Sequence, residues 1–266
     1  DVQAGGNILA GSLAAGAGLQ AQAGGDIVVD GDALVIGSAQ LQSAGAQRVA
    51  GNLQVTDQLV ADAQGGLQVG GDLVANNGLQ VSSTAGALQV GGMLGTQGHA
   101  LVDAQQGIQV AGNVLAQSVD VRSSAGAIAL GGQLATQGNA SLQAQQDIAI
   151  AGPVAIMGNL QASSTAGSIS FEDQLQVAGD FSGHAHKDLN FLGDSLLLGQ
   201  ADLKADTGRI LNQGNMTFGQ AVNIDTTGDL VNEGTLQSQG DISIRARNID
   251  SNLASLRGEA SQAAAH

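Results

Sequence analysis

The chain repeats itself from end to end. An aliphatic residue that follows a Gly- or Ala-rich turn recurs at Ile8, Ile27, Val49, Leu67, Leu88, Ile108, Ile128, Ile148, Ile169, Leu189, Ile210, Leu230 and Ile249. The intervals between these anchors are 19, 22, 18, 21, 20, 20, 20, 21, 20, 21, 20 and 19 residues. A fixed period between ~20 and ~50 residues marks a solenoid, a propeller or an array. Such a stack of equivalent units makes a shaft or a surface more readily than a catalytic pocket.

Each unit carries the same internal pattern. In Ile108–Val114 and again in Ile128–Leu134, an apolar residue at the anchor is followed by another two positions on, a glycine at four and an aliphatic at six. A second glycine commonly falls ten after the anchor, and another alternating segment follows, such as Leu79-Gln80-Val81 or Leu160-Gln161-Ala162. Alternation over three to five residues is a strand signal, because successive side chains face opposite sides. No window sustains a helical period. Each unit therefore reads as two or three short strands joined by tight Gly, Asn and Asp turns, which is one coil of a parallel β-helix. Coils pairing at ~4.8 Å predict a rod of roughly 60 Å with a thin interior of Leu, Val, Ile and Ala.

Other repeat folds fail on residues. The Leu and Asn frame of a leucine-rich repeat is missing, and the Asp-bearing turns recur at about twenty residues, where calcium-binding glycine-rich repeats need nine. Propeller blades are longer and carry aromatic signatures. A solenoid grows freely because each coil touches only its neighbours, so 266 residues pose no difficulty. The chain has 41 Gly, one Pro, no Trp or Tyr and four Phe, at 171, 181, 191 and 218, which describes a narrow interior. All four Phe lie in the C-terminal half, so wider or capped coils are expected there. The absence of Cys is compatible with export, since a hydrogen-bonded rod needs no staples.

The net charge is −15, from 23 acids against 8 bases, and no Lys or Arg occurs between Val49 and Val121. Phosphate contacts need a basic stripe, so nucleic acid is excluded as a partner, and anionic membrane surfaces are disfavoured. No signal peptide, membrane-spanning run or initiating Met is present. The chain opens within a coil, already in register with Ile8, as a piece of a longer array would.

From about Thr207 the pattern changes: Ile210-Leu211-Asn212-Gln213-Gly214 and Leu230-Val231-Asn232-Glu233-Gly234 replace the Val-Gly-Gly style. Asn212 and Asn232 either stack as an inward amide ladder, each bonding the one above, or serve the turn. The division expected is residues 1–206 as Gly-rich β-helix, 207–250 as a continuous Leu-x-Asn-x-Gly region, and 251–266 as a tail. That tail is a linker, the start of a further region, or an appended end.

Residues such as Ala23-Gly24-Gly25-Asp26-Ile27, and above all the closing run Leu230–Ile242, resemble the filamentous haemagglutinin repeat family over roughly residues 1–250. Members are large exoproteins exported by two-partner secretion in Gram-negative bacteria. The resemblance implies a right-handed parallel β-helix, export through an outer-membrane partner, display at the cell surface, and work as a stalk in an adhesin or a contact-dependent growth-inhibition toxin carrier. Its targets would be host cells or neighbouring bacteria. The family's secretion-signalling domain and any C-terminal toxin are not in this sequence, so the type of member stays open.

Candidate chemistry is sparse. His184 and His186 form the only close histidine pair, and with Asp180 and Asp188 nearby they are the one candidate metal set. Flanked by Gly183 and Lys187, they read better as exposed histidines on a polar corner, and no metal or cofactor is expected. Acid pairs at Asp30/Asp32 and Glu172/Asp173 suggest polysaccharide hydrolysis. Residues 49–170 hold one Arg, Arg122, and no aromatic residue, whereas such enzymes combine acids with basic and aromatic residues that grip sugars. The acids are therefore expected to solubilise the rod, and no enzyme is expected. The Ser-Ser-Thr-Ala-Gly segments are turn chemistry. Gly-Gly pairs without a following Lys-Ser or Lys-Thr are no phosphate loop, and Thr96 and Thr136 with Ala116 between them make no ice-binding ladder.

The expected function is thus a rigid stalk that projects a binding or toxic tip, with Ile27, Leu67, Leu88, Ile108, Ile128, Ile148, Ile169, Leu189, Ile210 and Leu230 as structural anchors. A direct adhesin with a glycan- or receptor-binding groove is the second reading, and a carbohydrate-active β-helix enzyme the third. The chain is expected to be monomeric, with end-to-end association through exposed strand edges, and not to insert into membranes.

Overall fold

The computed structural model describes residues 1–251 throughout, with the backbone of residues 256–257 and 261–265. The fold is a right-handed parallel β-helix, and the chain divides into two compact units, Asp1–Gly132 and Gln133–His266. Every coil supplies three strands in fixed order. An anchor strand of three or four residues comes first, then a second short strand, then in most coils a longer strand of five or six. In the first unit one such set is Leu67–Val69, Leu73–Ala75 and Gly78–Ser83. In the second, one set is Ile148–Ile150, Val154–Ile156 and Leu160–Ser164. Among the described residues the pairing is parallel, each strand lying against its counterparts in the neighbouring coils.

Alternation sets the core. The ten anchors Ile27, Leu67, Leu88, Ile108, Ile128, Ile148, Ile169, Leu189, Ile210 and Leu230 are all 3% exposed or less. Ile8 and Ile249, in the outer coils, are only half-buried. The turn residues Gly24–Gly25, Gly70–Gly71 and Gly91–Gly92 show why glycine recurs. A Cβ at Gly70 would strike the carbonyl of Ala50 one coil earlier, and one at Gly91 the carbonyl of Gly70.

One anchor is corrected. Gln47, rather than Val49, pairs with Ile27 and Leu67, while Val49 pairs with Val29 and Val69 at the second inward position. The irregular intervals of 22 and 18 residues thereby become 20 and 20. Both positions face inward because strand side chains have a period of two, so an apolar search steps over the glutamine. Gln47 is 4% exposed. Its Nε2 donates to the carbonyls of Leu41 at 3.1 Å and Asp62 at 2.8 Å, which is what admits an amide to this column.

Within the second unit the pairing passes through the change of pattern at 206/207 without a break: Leu189 opposes Ile210, Leu197 opposes Phe218, and Ala201 opposes Val222. The expected tail, 251–266, falls largely outside the described residues. Of it, Leu256–Arg257 pairs with Thr235–Ser238 and Ser261–Ala265 with Ile242–Ala246.

Candidate functional site

Many of the acids have a specific task within the rod. Asp26 Oδ1 accepts the N–H of Ala46 one coil on, Asp32 that of Asn52, and Asp72 that of Met93, each at 2.8 Å. In the second unit Asp147, Asp180, Asp188 and Asp194 do the same for Ser168, Gln200, Arg209 and Asn215. Asn7, Asn52, Asn139 and Asn159 replace Asp in the same role. The accepting oxygen sits where a Cβ of the next coil would stand, so that position is glycine: Gly45 over Asp26, Gly51 over Asp32. This Asx–glycine clamp satisfies a backbone donor at the turn, where no ladder reaches it.

The acid pairs are accordingly divided. Asp32 is a clamp, whereas Asp30 lies 3.9 Å from Arg48 in a solvent-exposed pair. Asp173 Oδ1 accepts its neighbour's N–H from Gln174 at 2.7 Å, and Glu172 is exposed. Neither set has the two facing carboxylates that a glycosidase needs on either side of a sugar bond.

His184 lies in the strand Phe181–Ala185 and His186 just beyond it. Both reach Asp206 on the following coil: His184 Nε2 stands 2.9 Å from Oδ1 and His186 Nδ1 3.7 Å from Oδ2. Lys204 Nζ is 3.3 Å from the same Oδ1. Asp180 and Asp188, the carboxylates nearest in sequence, are occupied as clamps. Lys204 thus shares the Asp206 carboxylate with both histidines, and among the described residues no three His, Asp or Glu side chains are grouped to hold an ion. Burial, the largest influence on the Asp206 carboxyl, pushes it up. The hydrogen bonds and charges of His184 and Lys204 together outweigh that and hold it below its ordinary value of 3.8. The cluster is a polar brace between coils.

A second histidine contact is one that spacing alone does not suggest. His99 Nδ1 is 2.8 Å from Ser118 Oγ, and His99 Nε2 is 3.4 Å from Asp120 Oδ2. The order Ser–His–Asp is that of a nucleophilic triad. Here the imidazole and carboxylate are 49% and 53% exposed. Water at that exposure screens the charge interactions on which such a triad depends. Only knowledge of the register, which sets His99 opposite Ser118, brings these residues together.

The amides of Asn212 and Asn232 do stack. Asn212 Nδ2 donates to Asn232 Oδ1 at 2.7 Å, and Asn232 Nδ2 donates to Ser251 Oγ at 3.0 Å. Each amide also bonds a turn carbonyl of its own coil, Gly214 at 2.9 Å and Gly234 at 3.2 Å, so it serves ladder and turn at once. Asn212 Oδ1 is buried without a donor, because the coil before presents Phe191 in that column. No protein-family model, curated protein or solved structure matches the chain.

Proposed function

We propose that this chain is a rigid stalk segment of a large exoprotein of the filamentous haemagglutinin type, displayed on the surface of a Gram-negative bacterium after export through an outer-membrane partner. The observation that carries the reading is the double reinforcement of the coils. Main-chain ladders run on three sheets, and the Asx clamps tie the turns between them. Cross-links of both kinds recur from coil to coil, as stiffness along an axis requires. The resemblance of Leu230–Ile242 to that repeat family supports the surface assignment, and the acidic surface suits exposure to solvent. The role is mechanical rather than enzymatic, and the tip it projects is adhesive or toxic.

The half-exposed Ile8 and Leu13 of the first coil offer apolar surface that a further coil, or a second copy of the chain, would cover. Display of the chain between an outer-membrane anchor and a terminal epitope tests the stalk reading. The distance of the epitope from the membrane, measured by super-resolution imaging, is expected to shorten in proportion when whole coils are deleted in frame. A distance indifferent to coil number would refute a stalk.

A further inference from the structure

The outward face of the long-strand sheet in the first unit holds an open groove of roughly 700 Å³. Its wall is built by register. Gln3 opposes Gln22, Gln22 opposes Gln42, and Gln42 opposes Asp62. Gln64 and Thr84 lie at the turn side, and Ala23, Gly24 and Ala63 complete the lining. The groove therefore crosses five successive coils, a span of about 19 Å at the spacing of paired strands. The side-chain amides of Gln3, Gln22, Gln42 and Gln64 make no hydrogen bond within the described residues, so each offers a free donor and a free acceptor. Asp62 is half-buried, and Ser82 Oγ donates to its Oδ1 at 2.6 Å, so a carboxylate with a second acceptor oxygen lies in the lining.

We propose that this groove binds an extended, uncharged glycan lying along the coil axis. Hydroxyl groups are donors and acceptors at once, which is the complement of an unpaired amide row. A carboxylate with one oxygen already fixed accepts from a sugar hydroxyl with the other. The groove has no Lys, Arg or His in its lining, and its unit carries only Arg48 and Arg122 against nine acids, so sulfated glycans, phosphates and nucleic acid are repelled. A peptide strand would need a free sheet edge to pair with. The strands Leu19–Ala23, Ala39–Ser43 and Gln58–Ala63 are already paired on both sides. The side-chain amides are what remains to be recognised. This site does not depend on the stalk reading, since a stalk can carry such a groove or lack it.

The test is titration calorimetry on the full chain with linear β-1,4 glucose and N-acetylglucosamine oligomers, from disaccharide to hexasaccharide, beside a heparin hexasaccharide. Affinity is expected to rise with oligomer length until the sugar spans the groove, and heparin is expected to bind more weakly than the neutral hexamers. The Gln22→Ala/Gln42→Ala double variant and Asp62→Asn should each weaken binding about tenfold, the loss of one or two net hydrogen bonds. Gln89→Ala/Gln109→Ala removes a paired, exposed set of the same chemistry on another sheet and should change nothing. All these positions are solvent-facing, and unchanged thermal unfolding establishes that each variant is folded. The proposal is overturned if no neutral oligomer binds, if heparin binds as tightly, if affinity ignores length, or if the control pair weakens binding as much as the groove pair.

Discussion

Each unit fills its corresponding inward column with different chemistry. At the second inward position of the anchor strand the first unit places Ala10, Val29, Val49, Val69, Val90, Val110 and Leu130. The second unit places Ile150, Phe171, Phe191, Asn212, Asn232 and Ser251. The backbone path accepts both because each departure is compensated locally. Phe171 and Phe191 stack at 5.5 Å and 10°, and Phe181 meets both edge-on. The opposing sheet yields space: Gly183 stands between Ala162 and Leu203 in an inward column, and a Cβ there would lie 2.9 Å from Phe181 Cζ. The Asn pair, for its part, places both Nδ2 donors by stacking, Asn212 on Asn232 and Asn232 on Ser251. What is tolerated in a β-helical interior is thus decided by the neighbours one coil away, more than by the hydrophobicity of the residue itself.

The comparison can be broken most severely with a charge that no neighbour can answer. Leu88 is fully buried, and Leu88→Asp should cost about 3–5 kcal/mol in denaturant unfolding. An unchanged midpoint would mean the inward register is wrong. A gentler intrusion is an amide in the apolar column. Val90→Asn, between Val69 and Val110, should cost about 2 kcal/mol. Adding Val110→Asn should return part of that loss, and a fully additive pair would deny that stacking is the compensating device. Gly183→Ala should cost about 1–2 kcal/mol through crowding of the Phe181 ring. That penalty should vanish in a Phe181→Leu background if the cavity is made for the ring.

The smallest effect concerns acid. Because the folded carboxyl of Asp206 lies below its ordinary value of 3.8, its contribution is complete above that value and fades as pH falls through the depressed one. Unfolding curves followed below about pH 4 should steepen less with pH in Asp206→Asn than in the parent chain. An identical acid response would show that His184 and Lys204 do not brace the coil.

Most of the coil is legible in alternation and glycine spacing, since those two patterns are what inward facing and tight turns demand of a chain. Gln47 escaped because its Nε2 finds two carbonyls outside its own strand, which lets a polar residue stand in the apolar column. Ser195, which occupies the aliphatic column between Leu175 and Met216, escaped for a related reason: a polar residue in an apolar column leaves no periodic trace. The work of the acids was more accessible. An Asp or Asn directly before an inward residue, as in Asp26-Ile27, Asp32-Ala33, Asp72-Leu73 and Asp188-Leu189, with glycine 19 or 20 residues later, is a readable signature of the clamp. The Ser118–His99–Asp120 contact and the amide groove depend on register, which a period of about twenty cannot specify to the residue when two inward positions stand two apart.

The clamps all point one way. In each, the acceptor belongs to the earlier coil and the donor to the later one, from Asn7 and Asp26 in the first unit to Asp194 and Asn215 in the second. A stretch of chain that has folded so far therefore ends in a row of waiting carboxylate and amide oxygens, set at the positions where the next turn must bring its N–H groups. Growth from the N-terminus meets a prepared template at every step, whereas growth from the C-terminus must first immobilise donors that nothing yet receives. The side chains give the assembly a direction that the parallel ladders alone do not impose.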